Sequence, residues 1–427
     1  MENITNNNKL EKICILGLGY IGLPTAAMFA THGKTVYGVE INRNIVDVLQ
    51  NGGIHIEEPG LQELVKDAIQ SGKLIIGSDV KPADAFIIAV PTPFKHSEFG
   101  YTDGKKYKLA DMDAVKTATE AIVPHLREGN LVVLESTSPP QTTINLITPI
   151  LERSGLVAGK DFYVTYSPER VLPGQILKEL VENARVIGGI TPDSAEKGKE
   201  LYSCFVKGKI ITTNSTTAEM VKLMENTYRD VNIAIANEFS RFADIFGIDI
   251  FEAISIANLH PRVKILQPGI GVGGHCISVD PWFLVEKAPN TVELIYQARK
   301  TNDSQPQFIV EKIKKTLSGI KNPKIACLGV TYKPDVDDFR ESPALEIINL
   351  LHQNNLEIKI FDPYIKRSLH KIGESLEENL EDALKDADLI VILVDHKIFR
   401  DINWEKITNK KCQLINDICK FIIPLKN

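Results

Sequence analysis

The sequence predicts an α/β fold, with two doubly wound units of mainly parallel strands joined by a long central helix and a helical middle domain. Three observations carry this. Short apolar runs alternate with helical stretches from Lys12 onward. A helical pattern unbroken by glycine or proline occupies Thr216 to Phe246. A second series of apolar runs opens at Lys324. Continuous apolar runs of this kind mark strands covered on both faces. A chain of 427 residues also exceeds one ordinary domain. The expected division is a flexible polar tail at 1–11, a first α/β domain at 12–213, the helix and middle domain at 214–316, and a second α/β domain at 317–427.

Composition narrows the function classes. A formal charge of −6 gives no electrostatic reason to expect nucleic acid or a membrane surface as partner. No apolar run approaches the roughly 18–20 residues that span a bilayer, and the Asn-rich start is unlike a signal peptide. The six cysteines form no CxxC pairs, so neither a disulfide framework nor a metal site is indicated. A reducing cytoplasm is the expected setting.

In chain order, the run Lys12–Leu16 leads into Gly17-Leu18-Gly19-Tyr20-Ile21-Gly22, a helical stretch to Thr31, and a second strand over Thr35–Val39 that ends in Glu40. GxGxxG alone is a weak signal. Strand, glycines, helix, strand and terminal acid in this order form a Rossmann-like dinucleotide fingerprint. Glycines let backbone approach a pyrophosphate at a helix N-terminus, and Glu40 suits ribose hydroxyls. An acid there repels a 2′-phosphate, which favours NAD over NADP. Gly17, Gly19, Tyr20, Ile21, Gly22, Glu40 and Arg43 are the candidate cofactor contacts of this unit.

Later strands carry further candidates at their carboxyl ends, where open α/β sheets bind ligands. Ala85–Val90 runs into Pro91-Thr92-Pro93, and Leu131–Leu134 into Glu135-Ser136-Thr137, so Thr92 and Thr137 join the cofactor set. The polar segment His96–Lys108 between them reads as a surface loop. Tyr163–Tyr166 enters Ser167-Pro168-Glu169-Arg170-Val171-Leu172-Pro173-Gly174, which sets an acid beside a base. The helix from Thr216 to Phe246 is about 45 Å long. Lys222, Asn226 and Arg229 share one of its faces at i, i+4 and i+7, either as a solvated stripe or as a substrate-facing row.

Gly271-Val272-Gly273-Gly274-His275-Cys276 precedes Asp280-Pro281, a helix start with Asp as N-cap and Pro at the first helical position. Small residues leave room around a thiol, and N–H groups near a helix start favour a thiolate. Cys276 therefore reads either as a nucleophile or as an ordinary loop cysteine. Cys14 and Cys327 lie inside strands and read as packing residues.

The landmarks Gly17–Gly22, Val90-Pro91-Thr92-Pro93, Glu135-Ser136-Thr137, Ser167-Pro168-Glu169-Arg170, Lys222 to Asn226, Gly273 to Asp280 and Arg340-Glu341-Ser342-Pro343 occur in the order of one family. Over nearly its whole length the chain resembles the UDP-glucose/GDP-mannose dehydrogenases. The resemblance implies an N-terminal NAD-binding domain, a dimerisation helix, a C-terminal UDP-binding domain, and a homo-oligomer that is at least a dimer. It implies oxidation of a sugar C6 alcohol to a carboxylate with two NAD⁺. In that chemistry Cys276 corresponds to the nucleophile that passes through a thiohemiacetal and a thioester. Lys222 corresponds to the acid/base and oxyanion lysine, with Asn226 and Asp280 beside it, and Glu169 to an acid of thioester hydrolysis. The UDP-glucose enzymes carry a second glutamate where this chain has Pro173. Arg170 to Gly174 and Asp280-Pro281-Trp282-Phe283 instead resemble the branch that oxidises UDP-N-acetyl-D-mannosamine, with UDP-N-acetylglucosamine and UDP-glucose as the alternatives. By that resemblance Arg170, Val171, Lys222, Asn226, Arg229, His260, Arg262, Gly273, Tyr332 and Lys333 bind the UDP-sugar, Arg262 from a neighbouring subunit, and Arg340 reaches NAD. A two-electron β-hydroxyacid dehydrogenase and a non-catalytic nucleotide-sugar sensor are the readings from other classes. The first leaves Cys276 and the C-terminal unit unexplained; the second predicts no turnover.

Overall fold

The computed structural model describes residues 10–365, 376–402, 404 and 413–415, so residues 1–9 of the expected tail lie outside it. The chain forms two compact units, residues 1–225 with 286–288 and residues 226–285 with 289–427. The division falls within the helix Ser215–Phe246.

In the first unit the strands are β1 (Lys12–Leu16), β2 (Thr35–Val39), β3 (Leu74–Gly77), β4 (Ala85–Ile88), β5 (Phe94–Thr102) and β6 (Lys105–Ala110). They are followed by β7 (Leu131–Leu134), β8 (Tyr163–Tyr166), β9 (Arg185–Gly189) and β10 (Ile210–Asn214). Eight of them form one sheet in the order β10-β9-β8-β7-β4-β1-β2-β3. Every adjacent pair is parallel except β8 and β9, which run antiparallel. Successive strand residues point to opposite faces, which explains the unbroken apolar runs. Ile13, Ile15, Ile87, Leu131 and Val133 enter one core. Cys14, Leu16, Phe86, Ile88, Val132 and Leu134 enter the other.

One sequence expectation is corrected here. Residues 96–108 are not a loop but most of a β5–β6 hairpin, antiparallel and with an irregular register between Phe94 and Phe99. Its turn residues Asp103 and Gly104 both have positive φ, at 48° and 78°. Asp-Gly is the dipeptide that tolerates such a turn, so the signal was present. The Lys106 ammonium sits 3.8 Å from the Phe99 ring centroid, so the polar composition covers aromatic faces.

The second unit holds β11 (Lys324–Leu328), β12 (Glu357–Phe361), β13 (Leu389–Ile392) and β14 (Gln413–Ile415). Their order is β12-β11-β13-β14, all parallel. Alternation again makes two cores, one through Ile325, Cys327 and Val391 and the other through Ala326, Leu328 and Ile390. Helices Ile250–Ala257, Asp280–Lys287, Glu293–Asp303 and Gln305–Thr316 precede this sheet in the chain. Arg299, almost fully buried, ties Asp230 of the long helix to the helix Glu293–Asp303, while Asn302 donates to the same aspartate at 2.8 Å. Among the described residues, no helix is long and apolar enough to cross a membrane.

Candidate active site

At the carboxyl end of β1 the glycine turn has separate physical causes at each position. Gly17 has φ of 93°, and a Cβ there would meet the Ala89 carbonyl oxygen at 2.6 Å. At Gly22 a Cβ would lie 1.9 Å from the Gly17 oxygen, so the helix Gly22–Thr31 can start only on a glycine. Among the described residues, nothing beyond its chain neighbours lies within 4 Å of a Cβ built on Gly19. Packing therefore does not require glycine there, whereas a ligand pressed against the backbone would. Glu40, just beyond β2, accepts from Leu18 N at 3.2 Å and from Asn42 N at 2.9 Å. The carboxylate is thus fixed beside the glycine turn, with lone pairs left for ribose hydroxyls. Arg43 is exposed at the first turn of the next helix, whose cap Asn42 accepts from Asn44 N at 3.1 Å.

Thr92 and Thr137 follow β4 and β7, which with β1 and β2 are consecutive in the sheet. The Ser136 hydroxyl donates to the Val90 carbonyl at 2.7 Å, tying these two loops together. Sequence reading missed the anchor of the second loop. Glu219 of the long helix accepts from Gln141 N at 2.6 Å and from Thr143 N at 2.8 Å, and a buried acid inside an apolar helical face was its only signal.

In the second unit, Cys276 is half-buried on a turn whose carbonyl accepts from Val279 N at 3.0 Å and Asp280 N at 2.9 Å. The helix begins at Asp280 itself, the expected cap and one position before the expected first helical residue, and Pro281 occupies its second residue. The buried Asp280 carboxylate accepts from Asn226 Nδ2 at 2.6 Å. Both residues were singled out for the same chemistry, and this bond joins them. The glycines owe more to packing than to room at the thiol. A Cβ on Gly273 would lie 2.6 Å from the Glu341 oxygen and 2.6 Å from Pro343, and one on Gly274 would lie 2.8 Å from the Tyr332 ring. Tyr332 and Gly273 are thereby brought together. Burial pushes the Cys14 and Cys327 thiols up to about 11 and about 12, as inert core residues.

The row on the long helix grades from the buried Lys222 through the half-buried Asn226 to the exposed Arg229. His260 and Arg262 lie exposed in the turn after Ile250–Ala257, where Arg262 N donates to His260 Nδ1 at 3.4 Å. Lys333 is exposed beside Tyr332. Arg340 donates from Nε and Nη2 to Asp338, at 3.0 Å and 2.6 Å for the shortest contacts. Burial would raise the Asp338 carboxyl, but these bonds and the charge of Arg340 bring it below its ordinary value.

Glu169 and Arg170, adjacent in sequence, have different partners. Arg170 donates to Glu225 at 2.7 Å and to the Ala184 carbonyl, while Val171 packs on the first core. Glu169 accepts from both terminal nitrogens of Arg185, at 2.9 Å and 2.6 Å. Arg185 also reaches Glu135 at 3.3 Å, and the Tyr202 hydroxyl donates to Glu135 at 2.6 Å. Burial pushes Glu135 up to about 7, against the opposing pull of Arg185. A carboxyl whose folded pKa lies above its unfolded value gives stability that is complete below about 4.5 and lost as pH rises through about 7. Glu135→Gln removes that dependence. Its stability relative to the parent should rise by up to about 3 kcal/mol between pH 5 and pH 8. Urea midpoints of both proteins at the two pH values measure this, and a constant difference would show that Glu135 titrates normally.

With this geometry in place, relatives are informative. Residues 11–206 match the NAD binding domain of the UDP-glucose/GDP-mannose dehydrogenase family, 216–304 its central domain and 326–423 its UDP binding domain. A UDP-N-acetyl-D-mannosamine dehydrogenase of Methanococcus maripaludis is 48% identical over 423 residues, covering 99% of this chain and 94% of the relative. One from Campylobacter jejuni is 48% identical over 413 residues, covering 94% and 99%. The solved UDP-N-acetyl-mannosamine dehydrogenase of S. aureus superposes with a TM-score of 0.84 at 44% identity, covering 94% of this chain and 92% of that one. The glycine turn, its open Gly19 and the fixed Glu40 fit the NAD that the matching domain binds. The chain belongs to the UDP-glucose/GDP-mannose dehydrogenase family, whose members are NAD-dependent oxidoreductases.

Proposed function

We propose that this protein oxidises the C6 alcohol of UDP-N-acetyl-D-mannosamine to the carboxylate, in four electrons at one site. The observation that carries the four-electron reading is the Cys276 turn, packed on Tyr332 and followed at once by the Asp280–Asn226 pair. A two-electron alcohol oxidation has no use for such a thiol. The sugar is supported by the nearly full-length likeness to enzymes named for it.

NAD, when bound, supplies the hydride acceptor, used twice. Lys222 takes the hydroxyl proton as C6 becomes an aldehyde. The Cys276 thiolate then adds to the carbonyl carbon, forming a C–S bond, and loss of a second hydride leaves a thioester. Water attacks that carbonyl, Glu169 takes up its proton, and the C–S bond breaks to return the thiolate. Asn226 and Asp280 hold the charge balance beside the reacting carbon. Arg170, Val171, Arg229, His260, Arg262, Tyr332 and Lys333 serve the UDP-sugar, and Arg340, Arg43, Thr92 and Thr137 serve the cofactor.

Initial rates with NAD⁺ on three UDP-sugars test the sugar. The kcat/KM for UDP-N-acetyl-D-mannosamine should exceed those for UDP-N-acetylglucosamine and UDP-glucose by about tenfold or more, the range a shaped pocket supplies. Equal or better turnover of either alternative overturns this assignment.

The working form is a dimer in the cytoplasm, built on the second unit's helical surface. Phe242, Ile245 and Phe246 of the long helix are exposed, as are Ile256 and Leu259 beyond it, with Leu259 at 81%. Exposed apolar side chains in this number suit a second copy of the chain. Light scattering should give twice the 47.4 kDa chain mass, and Phe242→Glu with Ile245→Glu should halve it. A monomeric parent protein at micromolar concentration contradicts the dimer.

A further inference from the structure

The sheet of the first unit contains one reversed pair, and the reversal brings a charge to its ligand end. Register pairs Thr165 with Gly189 and Tyr166 with Gly188 in antiparallel β8 and β9. Continued past the end of β8, that register sets Arg185, the first residue of β9, across from Glu169. A parallel strand would have begun at the opposite edge. Arg185 is 5% exposed and lies under Glu169, with its guanidinium carbon 4.0 Å from the Tyr202 ring centroid. Glu135, at the end of β7, holds the other side of the guanidinium through the oxygen that accepts from Tyr202.

Core packing does not call for this arrangement. Two carboxylates, a guanidinium and a phenol are taken out of water together, which apolar residues would fill at no electrostatic cost. The second Glu135 oxygen and Arg185 Nε are buried without a hydrogen-bond partner, so the group is not optimised as a structural network. What it does achieve is orientation. Both Arg185 bonds converge on Glu169 Oε2, and Arg170 N donates to Oε1 at 2.7 Å. Oε1 keeps a lone pair for water. Glu135 also belongs to the segment that carries Thr137, so the same charges link the acid loop to the cofactor loop.

We propose that Arg185, backed by Glu135 and Tyr202, is a positioning residue for Glu169 in hydrolysis of the Cys276 thioester. This rests on the reading of Glu169 and Cys276 given above. In the hydrolytic step the water oxygen bonds to the thioester carbon, its proton passes to Glu169 Oε1, and the C–S electron pair returns to Cys276. Arg185 fixes the carboxylate through the other oxygen and exchanges no proton. The two hydride transfers precede this step and do not depend on it.

The test separates the half-reactions in four variants: Glu169→Gln, Arg185→Lys, Glu135→Gln and Tyr202→Phe. Lysine keeps the charge but loses the two-nitrogen fork, and the other changes preserve volume. In rapid mixing of enzyme with NAD⁺ and UDP-N-acetyl-D-mannosamine, Arg185→Lys should release a burst of two NADH per site at the parent rate. Steady-state turnover should then fall roughly 100-fold, as expected of a misplaced catalytic group. Intact-protein mass should show the sugar acyl group on Cys276, with the sugar KM within about threefold of the parent. Glu135→Gln and Tyr202→Phe should show the same split in weaker form, and they carry the test if Arg185→Lys does not fold. Accumulation of the adduct in Glu169→Gln but parent-like hydrolysis in the other three overturns the positioning role and leaves Glu169 in place. Equal slowing of every step overturns it as well, by showing a purely structural effect. Parent-like hydrolysis in Glu169→Gln overturns the reading of Glu169, and the role of Arg185 with it.

Discussion

Cys276→Ala should form uronate at a rate lower by a factor on the order of 10⁴ or more, the scale seen when a covalent nucleophile is removed. Binding of the UDP-sugar should change little, because the thiol acts only after docking. The first oxidation, alcohol to aldehyde, needs a proton acceptor and a hydride acceptor but no thiol. In the proposed route the second proceeds from a tetrahedral carbon bearing oxygen and sulfur, from which hydride leaves as the thioester forms. The local structure allows this change to be read cleanly. Cys276 is only half-buried, and the glycines before it are locked by Tyr332 and Pro343, so alanine at 276 leaves the turn standing. Product analysis by mass spectrometry, beside a binding isotherm, checks both halves. Undiminished uronate from Cys276→Ala would refute the covalent route.

Lys222→Ala should lower kcat by about 10²–10⁴, the contribution of a placed acid/base group, with a much smaller rise in KM. Lys222 is 9% exposed on the helix Ser215–Phe246, one turn before Asn226, whose side chain is bonded to Asp280. In the proposed mechanism this amine takes the alcohol proton and then stabilises the oxyanions of the thiohemiacetal and of thioester hydrolysis. Arginine cannot replace it, since a guanidinium keeps its proton. Lys222→Arg should therefore be nearly as impaired as Lys222→Ala. If KM rises while kcat stays within a few-fold, Lys222 is a binding residue only.

Much of this was legible in the sequence, and the reasons differ by element. Parallel strands buried on both faces leave apolar runs, and the strands Lys12–Leu16, Thr35–Val39 and Leu131–Leu134 begin and end where those runs do. The long helix was readable because neither glycine nor proline interrupts it. The hairpin at residues 94–110 was not, because its strands are polar and its stabilising contacts are lysines over aromatic rings rather than apolar alternation. Its Asp103-Gly104 turn was the one clear signal. Arg185 escaped for a different reason. A charge opening an apolar strand looks like a strand end, and only the antiparallel register across from β8 reveals its partner. The glycines of the cysteine turn were identified as necessary, but the surfaces that require them come from Tyr332 and Pro343, too distant in sequence to be inferred.

The central claim is that one site carries a sugar alcohol through four electrons. The most direct measurement is the number of NADH formed per UDP-sugar consumed, with UDP-N-acetyl-D-mannosamine limiting and NAD⁺ in excess. The expected result is two NADH and one uronate, with no free aldehyde. One NADH per sugar, with the aldehyde as product, would contradict it.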